Sequence, residues 1–221
     1  MPGSSIRRAR DVFPFYRPLV ITSFISVMLG PAINVMLGKT TDIELAIASY
    51  AVALSVQNLV NSFFTYMHQI VLNFYRLDAA AVRRFALGAN LLPAAVIALL
   101  GWTPAGKAAL GLLVGAEGQL LDASIETLRI FLLFALVFPW VDYFNGLAML
   151  HKKTRFMMGS QTGNLAVTIL ALIVLTAAAP GWNGMVGALA QSCGVAAELA
   201  VLAMLMRRWQ RRQSIRADIP A

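Results

Sequence analysis

Cysteine is almost absent from this chain: there is one, Cys193, set within an apolar run. A single thiol excludes an internal disulfide and any Cys-rich metal site. Charge is scarce too, at 13% of residues, and it is lopsided, with 10 acidic side chains against 18 basic ones. Catalytic signatures are missing as well. The chain has no Gly-rich phosphate loop, no His-x-x-Glu-His, no strained nucleophile turn and no credible set of Ser, His and Asp. No stretch reads as a re-entrant selectivity filter. Catalysis is therefore not expected, and neither a cofactor nor a metal site is implied.

Apolar length is what the chain has instead. Hydrophobic residues make up 59% of the 221, and the mean hydropathy is +0.71. A soluble domain of this size cannot hide so much apolar surface, whereas one bilayer crossing needs about 20 apolar residues. Six such runs can be placed, over residues 19–37, 45–72, 85–102, 125–150, 158–178 and 185–206. Basic residues occupy every second joint between them. Arg7, Arg8, Arg10 and Arg17 precede the first run; Arg76, Arg83 and Arg84 follow the second; Lys152, Lys153 and Arg155 follow the fourth. Arg207, Arg208, Arg211, Arg212 and Arg216 follow the sixth. These are fifteen of the 18 Lys and Arg residues. The intervening joints hold only Lys39 and Lys107.

Short loops rich in Lys and Arg stay on the cytoplasmic side. The pattern predicts an all-α protein of the inner (plasma) membrane, multi-pass, with both termini cytoplasmic. Residues 1–12 form the cytoplasmic N-terminus, 13–206 a six-helix transmembrane bundle, and 207–221 a basic cytoplasmic tail that frays after Arg212. The net charge of +8 is explained by anionic lipid headgroups beside the spans, so the lipid bilayer is the expected partner and nucleic acid is not. The first apolar run is too long for a signal h-region and no small-x-small cleavage site follows it, so it reads as an uncleaved helix. Gly30-Pro31 and Pro139 are expected to kink or unwind their helices and to serve as hinges. The Gly-rich joint over 103–121 is expected to be an external loop.

The second run is the most unusual. At about 100° per residue, Tyr50, Gln57, Asn58, Asn61, Ser62, Thr65, Tyr66, His68, Gln69 and Asn73 fall on one side, and apolar residues fall on the other. Unpaired amides in hydrocarbon cost several kcal/mol, so the polar side faces protein or water. Asn and Gln also join membrane helices to one another. Ten polar positions exceed that need and favour a water-accessible cavity lined by Asn34, Tyr50, Gln57, Asn61, Thr65 and His68. A lone histidine such as His68 reads first as a hydrogen-bonding partner.

Ionisable residues inside the runs carry the remaining signal. Asp142 precedes His151, and Glu198 precedes Arg207, by nine residues each. At 1.5 Å per residue that is about 13 Å of depth, near the bilayer midplane. Carboxylates there mark an ion or proton path or a paired structural acid. Asp142 is the stronger candidate, because Pro139 frees backbone groups one turn earlier. Glu126 and Arg129, at i and i+3, are expected to pair on one helix face.

With the runs placed, the first enters as Phe15-Tyr16-Arg17-Pro18-Leu19. The later runs contain Ala48-Ser49-Tyr50-Ala51-Val52-Ala53-Leu54-Ser55, Leu128-Arg129-Ile130-Phe131 and Phe138-Pro139-x-x-Asp142. Leu150-His151-Lys152-Lys153 and the small-residue stretch ending in Glu198 complete the set. On these stretches the chain resembles one half of a transporter of the multidrug and toxic-compound extrusion superfamily, and within it the progressive ankylosis protein family. That family joins two six-helix bundles in one chain, and this chain carries one. Six crossings return the chain to its starting side, so two parallel copies could rebuild the two-bundle form.

The resemblance implies export of a small anionic solute, phosphorylated or carboxylated. The embedded charges do not independently call for an anion, since apart from Arg129 they are acidic. The leading expectation is a homodimeric alternating-access transporter with a small-molecule substrate, Asp142 and Glu198 coupling a proton or cation. Two other readings stay open: a non-transporting membrane subunit that scaffolds an unrelated partner, and a flippase for lipid-linked substrates.

Overall fold

The computed structural model of the chain describes residues 9–217. Arg7, Arg8 and the rest of residues 1–8 and 218–221 lie outside the described residues. Within them the fold is helical, without a strand. Nine helices follow in order: α1 (Ala9–Leu37), α2 (Ile43–Phe64), α3 (Met67–Phe74), α4 (Ala79–Ala89), α5 (Leu92–Trp102), α6 (Pro104–Val114), α7 (Gly118–Leu150), α8 (Thr154–Ala178) and α9 (Gly184–Ala217).

The polar joints act as helix starts. The Asp42 carboxylate accepts from the Leu45 N–H at 3.0 Å and caps α2, and Asp78 does the same for α4 through the Ala81 N–H at 2.9 Å. Such caps satisfy N–H groups that a first helical turn leaves orphaned. Pro93 and Pro104 open α5 and α6, where a missing N–H costs nothing. At one end of the bundle two chain reversals are tied together, because the Thr41 N–H donates to the Pro180 carbonyl at 3.1 Å.

Five stretches are long and apolar enough to cross a membrane: Val20–Leu37, Ile43–Phe74, Ala79–Trp102, Thr154–Ala178 and Gly184–Arg212. They coincide with five of the six expected runs. The fourth expected run falls inside α7, which is not one of the five. That helix carries Asp122, Glu126, Arg129 and Asp142, and it packs against α2, α3, α5 and α9. One hydrophobic cluster, with Leu128 and Phe131 fully buried, joins α7 to Tyr50, Ile97 and Val186. A second joins Tyr143 and Leu147 to Met67, Val71, Leu202 and Met206. The α1 helix lies mainly on α8, away from α7.

The last helix, α9, continues past Arg212 to Ala217. Two expectations need correction. The joint over 103–121 is not a loop, since α6 occupies most of it and ends at Gly115, whose φ of 69° only glycine adopts freely. Neither Gly30-Pro31 nor Pro139 unwinds its helix: α1 and α7 run unbroken through them. The second and third runs are broken instead, at Thr65–Tyr66 and at Asn90–Leu91. The first of these breaks organises the candidate site.

Candidate site at the break in the second run

No proline or glycine explains why α2 stops at Phe64 and α3 begins at Met67. The explanation lies on α7. The Asp142 carboxylate accepts from the His68 backbone N–H, with Oδ2 2.9 Å away. His68 Nδ1 lies 2.8 Å from Oδ1 and 3.1 Å from Oδ2. An acid from another helix thus caps the first turn of α3 and holds its imidazole, satisfying a donor that a continuous helix would have satisfied internally. The Thr65 hydroxyl bonds back to the Asn61 carbonyl, occupying the acceptor that the next turn would have used. The pair is largely shielded, with side-chain exposures of 23% for His68 and 13% for Asp142.

Close approach of the two helices requires Gly146, one turn after Asp142. A Cβ there would meet His68 Cα and Val71 Cβ at 2.9 Å each. Asn145, on the same turn, has its Oδ1 buried with no donor among the described residues. Sequence reasoning passed over both. The sole signal was their position three and four residues after Asp142, on the same face of α7.

The expected cavity residues divide into two groups. Tyr50, Gln57 and Asn61 are buried in the bundle, Gln57 completely. They are bonded within it: Tyr50 Oη donates to Gln191 Oε1 at 2.7 Å, and Gln57 Nε2 donates to Asn61 Oδ1 at 3.1 Å. Thr65 and His68 are half-buried, and Asn34 is exposed on α1. The polar side of the second run is therefore split by packing. Ser55, Asn58, Ser62, Tyr66, Gln69 and Asn73 recur at three- and four-residue steps and are all exposed. Ser55 and Ser62 return their hydroxyls to their own helix. The amides of Asn58, Gln69 and Asn73 have no partner among the described residues. This stripe flanks the break on the bundle surface.

Glu198 belongs to a different contact. It is 3% exposed, and its Oε2 accepts from Asn164 Nδ2 at 2.7 Å. Thr168 Oγ1 donates to Asn164 Oδ1 at 3.1 Å, completing a polar chain between α8 and α9. Gly194 makes room for it, since a Cβ there would collide with Thr168 Oγ1 and Asn164 Oδ1. Glu198 Oε1 has no partner among the described residues. The structure does not bring Glu198 together with Asp142.

Arg129 does not pair with Glu126. Its Nε donates to the Gly101 carbonyl at 2.8 Å, and its guanidinium lies 5.7 Å from the centre of the Trp102 ring. The last carbonyls of α5 lack intrahelical donors, and a guanidinium beside them satisfies one while complementing the negative helix end. Glu126 is exposed.

The fold and the buried polar pairs thus define a helical protein with five stretches able to cross a membrane. The chain matches no protein family, no curated protein and no solved structure.

Proposed function

We propose that this protein is a membrane transporter that works as a parallel homodimer by alternating access, each copy crossing the membrane six times with both termini cytoplasmic. Each copy corresponds in this reading to one half of a two-bundle transporter of the extrusion superfamily. The transported species is a small polar solute, anionic if the resemblance extends to substrate, and it moves outward with a coupled proton or cation. No catalytic step is involved.

The exposed polar stripe of α2 and α3 carries this reading. Three unpaired amides, Asn58, Gln69 and Asn73, along a stretch long enough to cross a membrane are incompatible with hydrocarbon, where each costs several kcal/mol. A second copy apposed across that stripe would enclose it, with Asn34 on the neighbouring α1, as the wall of an aqueous passage. The break at Thr65–Tyr66 supplies the moving part. Discontinuous helices recur where transporters bind their solutes. The α3 segment is held to α7 by one acid, so a proton or cation that engages Asp142 would compete with the His68 contact and release it.

Substituted-cysteine labelling tests the stripe. In a Cys193→Ala background, Asn58→Cys and Ser62→Cys are expected to react with a membrane-impermeant maleimide in intact proteoliposomes. Leu59→Cys and Phe63→Cys, on the exposed apolar flank of the same helix, are expected to stay unreacted. Protection of Asn58→Cys and Ser62→Cys to the level of the apolar pair would contradict an aqueous passage and favour a docking face for another membrane protein.

A further inference from the structure

Where the apolar part of α9 gives way to arginine, one face of the helix forms an open groove of about 420 Å³ lined by Ala200, Ala203, Met204, Arg207, Arg208 and Arg211. These positions follow the three- and four-residue steps of one helix face. The groove is divided along its length. Three guanidinium-bearing residues line one end, small and apolar side chains line the other, and no acid lines it among the described residues. From Ala200 to Arg207 the rise is roughly 10 Å, about two helical turns.

We infer that this groove is a binding site for an anionic glycerophospholipid, with the phosphate on Arg207 and Arg208 and an acyl chain along Ala200, Ala203 and Met204. Guanidinium groups bind phosphate oxygens through paired, charge-assisted hydrogen bonds. Clusters of Arg at the membrane boundary attract anionic headgroups. A free phosphate would satisfy the arginines yet leave the apolar two turns uncovered, and Met204 is 49% exposed. A zwitterionic lipid would cover the apolar floor but bring a cation towards Arg207 and Arg208. Only an amphiphile with a net negative head matches both ends. This inference is independent of the transport reading, since it needs nothing from the α2–α3 stripe or from Asp142.

Native mass spectrometry of the delipidated full-length protein in detergent tests it, with phosphatidylglycerol and phosphatidylcholine added at equal concentration. Phosphatidylglycerol adducts should dominate on the wild-type chain, and Arg207→Gln/Arg208→Gln should reduce them roughly thirtyfold, about one kcal/mol per arginine. Lys152→Gln/Arg155→Gln removes the same charge elsewhere and should change them less than about twofold on the same scale. Ala200→Trp fills the groove without altering charge and should reduce them as well. Equal loss in both double variants would overturn the site in favour of diffuse attraction. Full binding to Ala200→Trp would overturn the acyl contact. Displacement of the lipid by an equal concentration of glycerol phosphate would assign the arginines to a soluble phosphate instead.

Discussion

Transport by the Asp142→Asn variant is expected to fall to background while the protein stays folded. Asparagine keeps an oxygen that can accept from the His68 N–H, so the cap of α3 survives with a loss of about 1 kcal/mol. It has no proton to exchange and no charge to offer a cation, so the coupling function disappears. Asp142→Ala is expected to lose both roles. Removing the carboxylate orphans the His68 N–H and strips the half-buried imidazole of its partner, costing about 3 kcal/mol for hydrogen bonds to a charged group. Solute flux in proteoliposomes and thermal unfolding in detergent separate the two. Wild-type transport by Asp142→Asn would remove this acid from the mechanism. Equal stability of the two variants would show that the cap contributes nothing to holding α3.

Gly146→Ala is expected to abolish transport without touching any ionisable group. The added methyl would lie 2.9 Å from His68 Cα, and backbone cannot rotate away as a side-chain end can. The α3 segment must then move off α7, lengthening the contacts between His68 and Asp142. Overpacking of this kind costs about 1–3 kcal/mol. Gly163→Ala makes the contrast, since its Cβ would meet Val201 at an ordinary 3.5 Å. That change should leave transport intact and stabilise the α8 helix by up to about 1 kcal/mol. Transport unaffected by Gly146→Ala would mean that the tight α3–α7 crossing has no part in function.

Hydropathy made the elements that cross an apolar phase legible, because a span needs only length and composition. Breaks within the spans were not legible in the same way. Proline and glycine pointed to Gly30-Pro31 and Pro139, yet α1 and α7 stay helical there. The break at Thr65–Tyr66 depends on a carboxylate 74 residues beyond His68, and no local signal encodes such a partner.

The polar side of the second run was visible at 100° per residue, but periodicity cannot say which part of it a neighbour covers. Gln57 and Asn61 turned inward and Asn58 and Ser62 outward because α7 and α9 pack on one flank alone. The Glu126 and Arg129 expectation failed for a related reason. Spacing identifies side-chain neighbours on one helix, whereas Arg129 found a backbone carbonyl on another. Asp142 was singled out by depth and by Pro139. His68 was placed in the cavity and read first as a hydrogen-bonding partner, but nothing in the sequence pointed from it to Asp142.

Two copies of this chain are expected to meet across the α2–α3 stripe. The mass of the purified protein in a lipid nanodisc, measured by native mass spectrometry, tests it most directly. Two copies per particle of 23.9 kDa each, with no other chain, is the expected result. A clean monomer, or one copy with an unrelated stoichiometric subunit, would contradict the homodimeric transporter.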